Sequence, residues 1–164
     1  MSRAGWSRLA IHFALVSLIT VSAAPALGGP LFPNPVYTVG SNPYTLGMAD
    51  FNRDGIPDLV TANFGAGYDG GPGDVSVLFG HGDGTFSNET RVPTSQHPSE
   101  VSAADVDGDG VGDLILTFWP LGQAVLMRGQ GDGTFGSEEL IIADGVYRVH
   151  LADINDDNVP DLIQ

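Results

Sequence analysis

Three acidic nine-residue segments limit what this chain can fold into more than any other feature. They are Asp50-Phe-Asn52-Arg-Asp54-Gly55-Ile56-Pro-Asp58, Asp105-Val-Asp107-Gly-Asp109-Gly110-Val111-Gly-Asp113 and Asp153-Ile-Asn155-Asp-Asp157-Asn158-Val159-Pro-Asp161. Each has oxygen-bearing side chains at positions 1, 3, 5 and 9, a turn-forming residue at position 6, and a leucine directly after. Carboxylates gathered this closely repel: at an effective dielectric of 20, two charges ~4 Å apart cost ~4 kcal/mol. A hard divalent cation removes that repulsion, and an all-oxygen set rich in carboxylates points to calcium rather than zinc.

The repetition extends beyond these segments. Gly82-Asp83-Gly84-Thr85-Phe86 recurs as Gly131-Asp132-Gly133-Thr134-Phe135, 49 residues on, and the acidic segments begin 55 and 48 residues apart. Ahead of each lies a matching stretch, Pro43–Ala49, Pro98–Ala104 and Val146–Ala152. A self-similar period of about 50 residues marks a repeat architecture.

Between turn signals the segments are short and rich in β-branched and aromatic residues. Tyr44–Ala49, Leu59–Phe64, Val75–Phe79 and Thr90–Thr94 give four strands, and Val101–Ala104, Leu114–Trp119, Ala124–Met127 and Leu140–Ile142 repeat them. Each acidic loop joins a first strand to a second. Each Gly-Asp-Gly-Thr-Phe turn joins a third to a fourth, with Phe86 and Phe135 as core anchors. With 23 glycines and 11 prolines, an uninterrupted helical period finds little room after residue 26. Four short strands per repeat is the arithmetic of a β-propeller blade, so the predicted class is all-β, with four-stranded antiparallel blades.

The predicted organisation is a signal peptide over 1–26 and a repeat region over 27–164. Within the latter, repeat 1 spans 43–94, repeat 2 spans 98–142 and a partial repeat 3 spans 146–164, about two and a half blades. Residues 36–39 are expected to form an outer strand completing a closing blade. A chain ending at Gln164 would leave such a propeller incomplete, and the sequence reads as the N-terminal part of a longer protein.

The export prediction rests on Arg3 and Arg8, the 13-residue apolar run Leu9–Val21, and the small residues of Ala24-Pro25-Ala26. Cleavage there removes two arginines and no acid, leaving 20 acidic side chains against 4 arginines. Eleven of those acids lie in the three loops. So acidic a chain is excluded from binding nucleic acid, whose phosphates need a basic surface, and from docking on anionic lipid. No membrane insertion is expected after cleavage. The chain has no cysteine, so disulfides contribute nothing to its stability. Extracellular calcium modules bind at ~10⁻⁴–10⁻³ M, and tenfold saturation adds ~1.4 kcal/mol per site.

The joint pattern of Ala49–Leu59, Val75-Ser-Val-Leu-Phe-Gly80 and Gly82–Phe86 closely resembles the FG-GAP/VCBS repeat. This is the unit of the propellers of integrin α-subunits and of many secreted bacterial proteins, and the likeness covers nearly all of residues 36–164. It implies that calcium is held by side chains at positions 1, 3, 5 and 9 and by the carbonyl of position 7. The implied ligands are Asp50, Asn52, Asp54, Ile56 and Asp58; then Asp105, Asp107, Asp109, Val111 and Asp113; then Asp153, Asn155, Asp157, Val159 and Asp161. Asn158 departs from the glycine of the other loops, but Asn enters the left-handed region more readily than most residues.

Competing motifs fit less well. An EF-hand needs Glu at position 12, where this chain has Thr61, Leu116 and Gln164. No Gly-x-Ser-x-Gly turn is present, and His81, His97 and His150 lack metal-ligand spacing. Trp119 ends a strand and is expected to be a core or loop anchor rather than an exposed platform for sugar. The functional expectation is a secreted or cell-surface calcium-binding scaffold for adhesion, with an extracellular protein or glycan ligand. Two alternatives stay open: part of a propeller-type polysaccharide-degrading enzyme, or repeats that present a separate downstream domain.

Overall fold

The computed structural model describes residues 36–67, 70–156 and 159–164; the predicted signal peptide, with Asp157 and Asn158, lies outside them. Every regular element among the described residues is a strand. β1 (Pro43–Ala49), β2 (Asp58–Asn63), β3 (Asp74–Leu78) and β4 (Thr90–Pro93) form one antiparallel sheet in chain order. β5 (Pro98–Ala104), β6 (Asp113–Phe118), β7 (Gln123–Met127) and β8 (Glu139–Ile142) form a second sheet of the same order. β9 (His150–Ala152) and β10 (Asp161–Ile163) pair antiparallel as the start of a third. The all-β blade pattern expected from the repeats is therefore present.

The sheets pack as successive layers, which explains why β2 and β6 are buried along their whole length. Side chains alternate faces along a strand. Thus Leu114, Leu116 and Phe118 turn toward the first sheet and meet Val60, Ala62, Val75 and Val77. Between them, Ile115 points the other way and joins Ala124 and Leu126 against Val146 and Val149 of the third unit. A strand covered on both sides needs apolar residues at consecutive positions, and Leu114-Ile-Leu116 supplies them.

The far face of the first sheet departs from this rule. Where the second sheet has Leu116 and Phe118, the first has Thr61 and Asn63 at the equivalent positions. These are buried within a hydrogen-bond network. Thr61 donates to Asn63 Oδ1 at 3.0 Å, and Asn63 Nδ2 reaches Asp74 at 2.7 Å and Ser76 at 2.8 Å. Ser76 in turn donates to Glu89 at 2.7 Å and accepts from the Gly40 amide at 3.0 Å.

Residues 36–39 lie against the first blade. They belong to no strand. Instead Tyr37 stands edge-on to Phe86, with centroids 5.6 Å apart, and its hydroxyl accepts from the Phe86 amide at 2.8 Å. The tyrosine anchors the segment to the first blade through this aromatic contact and hydrogen bond. The phenylalanines of the Gly-Asp-Gly-Thr-Phe turns are only half-buried. Phe135 packs on Phe51 at 5.5 Å, and Phe51 is the fully buried ring.

Adjacent layers are pinned by a device that repeats. Thr45 Oγ1 accepts from the Val101 amide at 2.9 Å, and Glu100 Oε2 accepts from the Val149 amide at 3.0 Å. Thr45 and Glu100 hold the same place in successive repeats, as do Val101 and Val149, so the first and second units each present an acceptor to the next.

Truncating Phe51 to alanine should cost ~3–5 kcal/mol, the range for a fully buried aromatic ring, whereas Phe135→Ala should cost less because its ring is half-exposed. Chemical denaturation of both variants checks the order; equal losses would contradict the packing described.

Candidate metal centre

Each acidic loop turns back on itself between a first and a second strand, and its own carboxylates shape the turn. Asp50 Oδ1 accepts from the amides of Asn52 (3.2 Å) and Asp54 (3.3 Å), and its Oδ2 accepts from Gly55 at 2.7 Å. Asp105 repeats the pattern one blade later, accepting from Gly108 (2.7 Å), Asp109 (3.1 Å) and Gly110 (2.8 Å). At position 5, Asp54 and Asp109 accept from the amides of Ile56 (2.8 Å) and Val111 (2.9 Å). Short polar side chains that bond to nearby backbone donors favour turns over strands, so the loop conformation is locally encoded.

Position 6 takes positive φ as expected, 78° at Gly55 and 86° at Gly110. Position 4 does so as well, at 61° for Arg53, 78° for Gly108 and 60° for Asp156. The sequence signal for this second left-handed residue was Gly108, but Arg53 and Asp156 masked it.

The position-9 aspartates stand apart from the rest of the loop. Asp58 and Asp113 are buried. Asp58 Oδ2 accepts from the Phe51 amide at 2.9 Å, and Oδ1 accepts from the Gly80 amide at 2.8 Å. Asp113 does the same with Val106 (3.0 Å) and Gly129 (2.8 Å). Asp161 accepts from Ile154 at 3.0 Å, the equivalent of the first bond. Asp58 and Asp113 thus each tie position 2 of the loop to the glycine after the third strand. Burial raises the pKa of Asp58 and Asp113 above the ordinary carboxylate value; their backbone donors oppose this, and neighbouring loop acids add to it.

The second loop draws three carboxylates together. One oxygen each from Asp105, Asp107 and Asp109 lies within 4.8 Å of the others. Oxygens that share a calcium ion at 2.3–2.6 Å are separated by up to ~5 Å, so the donor chemistry and spacing both fit that ion. The first loop brings Asp50 and Asp54 around Asn52, whose amide donates to Asp54 Oδ2 at 2.9 Å. Position 7 turns its side chain inward: Val111 is buried and Ile56 half-buried. In the third loop Asp153 and Asn155 are exposed and Asp161 is half-buried; Asp157 falls outside the described residues, so the full set cannot be assembled there. Val159 is 45% exposed, unlike Val111.

Two arginines face the middle cluster and were not singled out from sequence. Arg53, on the first loop, reaches Asp109 at 3.0 Å, and Arg128 reaches Asp107 at 2.5 Å. Both pairs are solvent-exposed, where such contacts contribute ~0.2–1 kcal/mol. Arg53, at position 4 of its loop, and Arg128, just after β7, belong to no motif; only the folded blades bring them to the acids.

Residues 50–116 match the FG-GAP-like repeat family. The chain is also 34% identical over 80 residues to phosphatidylinositol-glycan-specific phospholipase D of Rattus norvegicus. That match takes in 44% of this chain and 10% of the relative's length. The match covers the first two acidic loops, the Gly82–Phe86 turn and β2 to β5, and the FG-GAP resemblance is shown over that stretch.

Asp113→Ala strips acceptors from two backbone N–H groups, each worth ~1–3 kcal/mol when left unsatisfied in the interior. The variant should lose stability in chelator as well as in calcium. Asp109→Ala, an exposed change, should leave the melt in chelator close to wild type. Paired thermal melts decide it, and equal behaviour of the two variants would contradict the structural role of position 9.

Proposed function

We propose that this FG-GAP-like repeat chain is an exported, calcium-stabilised β-propeller scaffold that binds an extracellular partner. The observation that carries the reading is the convergence of Asp105, Asp107 and Asp109 within 4.8 Å on a loop joining two strands of one blade. Calcium there would neutralise three carboxylates that otherwise repel, and stiffen the turn between β5 and β6. Asp113 would contribute from the loop's end: a carboxylate oxygen that accepts one N–H keeps a further lone pair. The first loop, with Asp50, Asn52, Asp54, the Ile56 carbonyl and Asp58, would form an equivalent site of lower charge. The third would use Asp153, Asn155, Asp157, the Val159 carbonyl and Asp161.

The role of calcium in this reading is structural. Carboxylates held ionised by a divalent cation are poor general acids. Export rests on the N-terminal sequence pattern, and among the described residues no helix is long and apolar enough to cross a membrane. Phospholipase activity belongs to the relative's name. The likeness takes in 10% of the relative's length, and so partial a match does not carry a reaction to this chain.

Titration calorimetry with calcium, followed by thermal unfolding in millimolar calcium and in excess chelator, tests the reading. Saturable binding and a melt that shifts down on chelation are expected. Asp107→Ala should remove one calcium from the stoichiometry; an unchanged stoichiometry would reject the assignment of the middle site.

A further inference from the structure

The ends of the strands opposite the acidic loops carry a different kind of surface. A concavity of about 450 Å³ opens there, lined by Tyr44, Phe64, Glu100, Trp119, Tyr147 and Arg148. Its volume falls within the ~300–1,000 Å³ typical of small-molecule sites. Among the described residues only three aromatic side chains are exposed, Tyr44 (55%), Trp119 (44%) and Tyr147 (51%), and all three line this concavity. Every other described aromatic ring is buried or half-buried. The expectation that Trp119 would be covered as an anchor is therefore corrected: Phe118 beside it fills the core, and the indole is left outside.

The lining is assembled by the repeat itself. Tyr44 and Tyr147 occupy equivalent positions in their repeats, as do Phe64 and Trp119, and as do Glu100 and Arg148. The third-unit segment is held by Val146 and Val149, both buried, so the two residues between them project outward. The Tyr147 carbonyl accepts from Thr117 at 3.3 Å, and Tyr147 leans on Trp119 with ring centroids 5.3 Å apart. Across the concavity Tyr44 leans on Phe64 at 5.3 Å, and Phe64 is stacked on His97 at 4.7 Å. Glu100 is fixed by the Val149 amide, and a carboxylate so bonded keeps acceptor capacity on its second oxygen. Arg148 extends from the same segment as an exposed donor.

We infer that this concavity is a binding site for a neutral saccharide, with Trp119, Tyr147 and Tyr44 as stacking surfaces and Glu100 and Arg148 as hydrogen-bonding groups. A pyranose ring has an apolar C–H face suited to an aromatic ring and a rim of hydroxyls that both donate and accept. The pocket offers the complement of each. One acid and one arginine leave it without net charge, in a chain of formal charge −14. An acyl chain would desolvate both charged groups without satisfying either. A cationic ligand would face Arg148, and an anionic one Glu100. A neutral polyol satisfies both. The inference rests on the scaffold reading above and supplies the ligand class it left open.

The test uses the full chain in millimolar calcium, with methyl glycosides of glucose, galactose, mannose and N-acetylglucosamine as probes. Binding is read by tryptophan fluorescence and by calorimetry. Saturable binding of at least one glycoside is expected, weakened about tenfold by Trp119→Ala or Tyr147→Ala. Trp119→Phe should retain part of the affinity, and Glu100→Gln should weaken binding while leaving the aromatic contribution in place. Calcium titration and thermal melts run alongside, so that loss of calcium binding and loss of sugar binding are separate results. If Trp119→Ala fails to fold, Tyr147→Ala decides alone, since its ring is half outside the core. Three results would overturn the inference: no glycoside binding by the folded, calcium-replete chain; binding indifferent to both aromatic changes; or preference of the same site for a lysine-containing peptide.

Discussion

A buried carboxylate that accepts two backbone N–H groups holds each blade together at its loop end. Asp58 links the Phe51 amide, inside the acidic loop, to the Gly80 amide beyond β3, and Asp113 repeats the link between Val106 and Gly129. These contacts span 7 and 22 residues in the first blade and 7 and 16 in the second. They therefore fix the loop, the second strand and the turn after the third as one unit. Burial works against ionisation of these aspartates and holds their pKa above the ordinary carboxylate value, and the backbone donors oppose it in part. A cation nearby would tilt the same balance further toward the charged form, so the clamp and the candidate metal centre reinforce each other.

Much of this was legible in the chain itself. The alternation of Leu114, Ile115 and Leu116 between two covered faces follows from a continuous apolar run, and the repeated turns set where each strand ends. The acidic spacing identified which side chains would share a loop. Other features depend on where distant segments meet. Residues 36–39 have strand-like composition, yet Tyr37 finds Phe86 and the segment pairs with no neighbour. Spacing marks position 9 as one member of the acidic set, and only the fold shows that Asp58 and Asp113 also each accept two backbone N–H groups. Trp119 follows a buried phenylalanine, and no local pattern reveals that the core ends at Phe118 and the indole lies beyond it. The ion pairs of Arg53 and Arg128 join residues 56 and 21 positions apart.

The blade thus separates two tasks along the strand direction. At one end, short polar side chains and glycines at positive φ form closed loops suited to a cation. At the other, the same repeat positions hold large aromatic and charged side chains that differ from blade to blade. Framework positions such as Leu59 and Leu114 stay alike between repeats, while Tyr44, Ser99 and Tyr147 vary at one equivalent point. Among the described residues the loop clamp and the outward-facing side chains lie at opposite ends of the strands.

The pins between layers have a consequence for how such chains grow. Thr45 holds the amide of Val101, and Glu100 holds the amide of Val149, through the same pair of repeat positions. The second repeat therefore carries both a socket, the Glu100 carboxylate, and a plug, the Val101 amide, whereas the third places Arg148, a donor, at the socket position. A duplicate of that second repeat would arrive with both fittings and could follow it without redesigning the junction. A duplication out of phase with the repeat would bring two plugs or two sockets together. The geometry of two hydrogen bonds thus sets the quantum by which this architecture can lengthen in evolution.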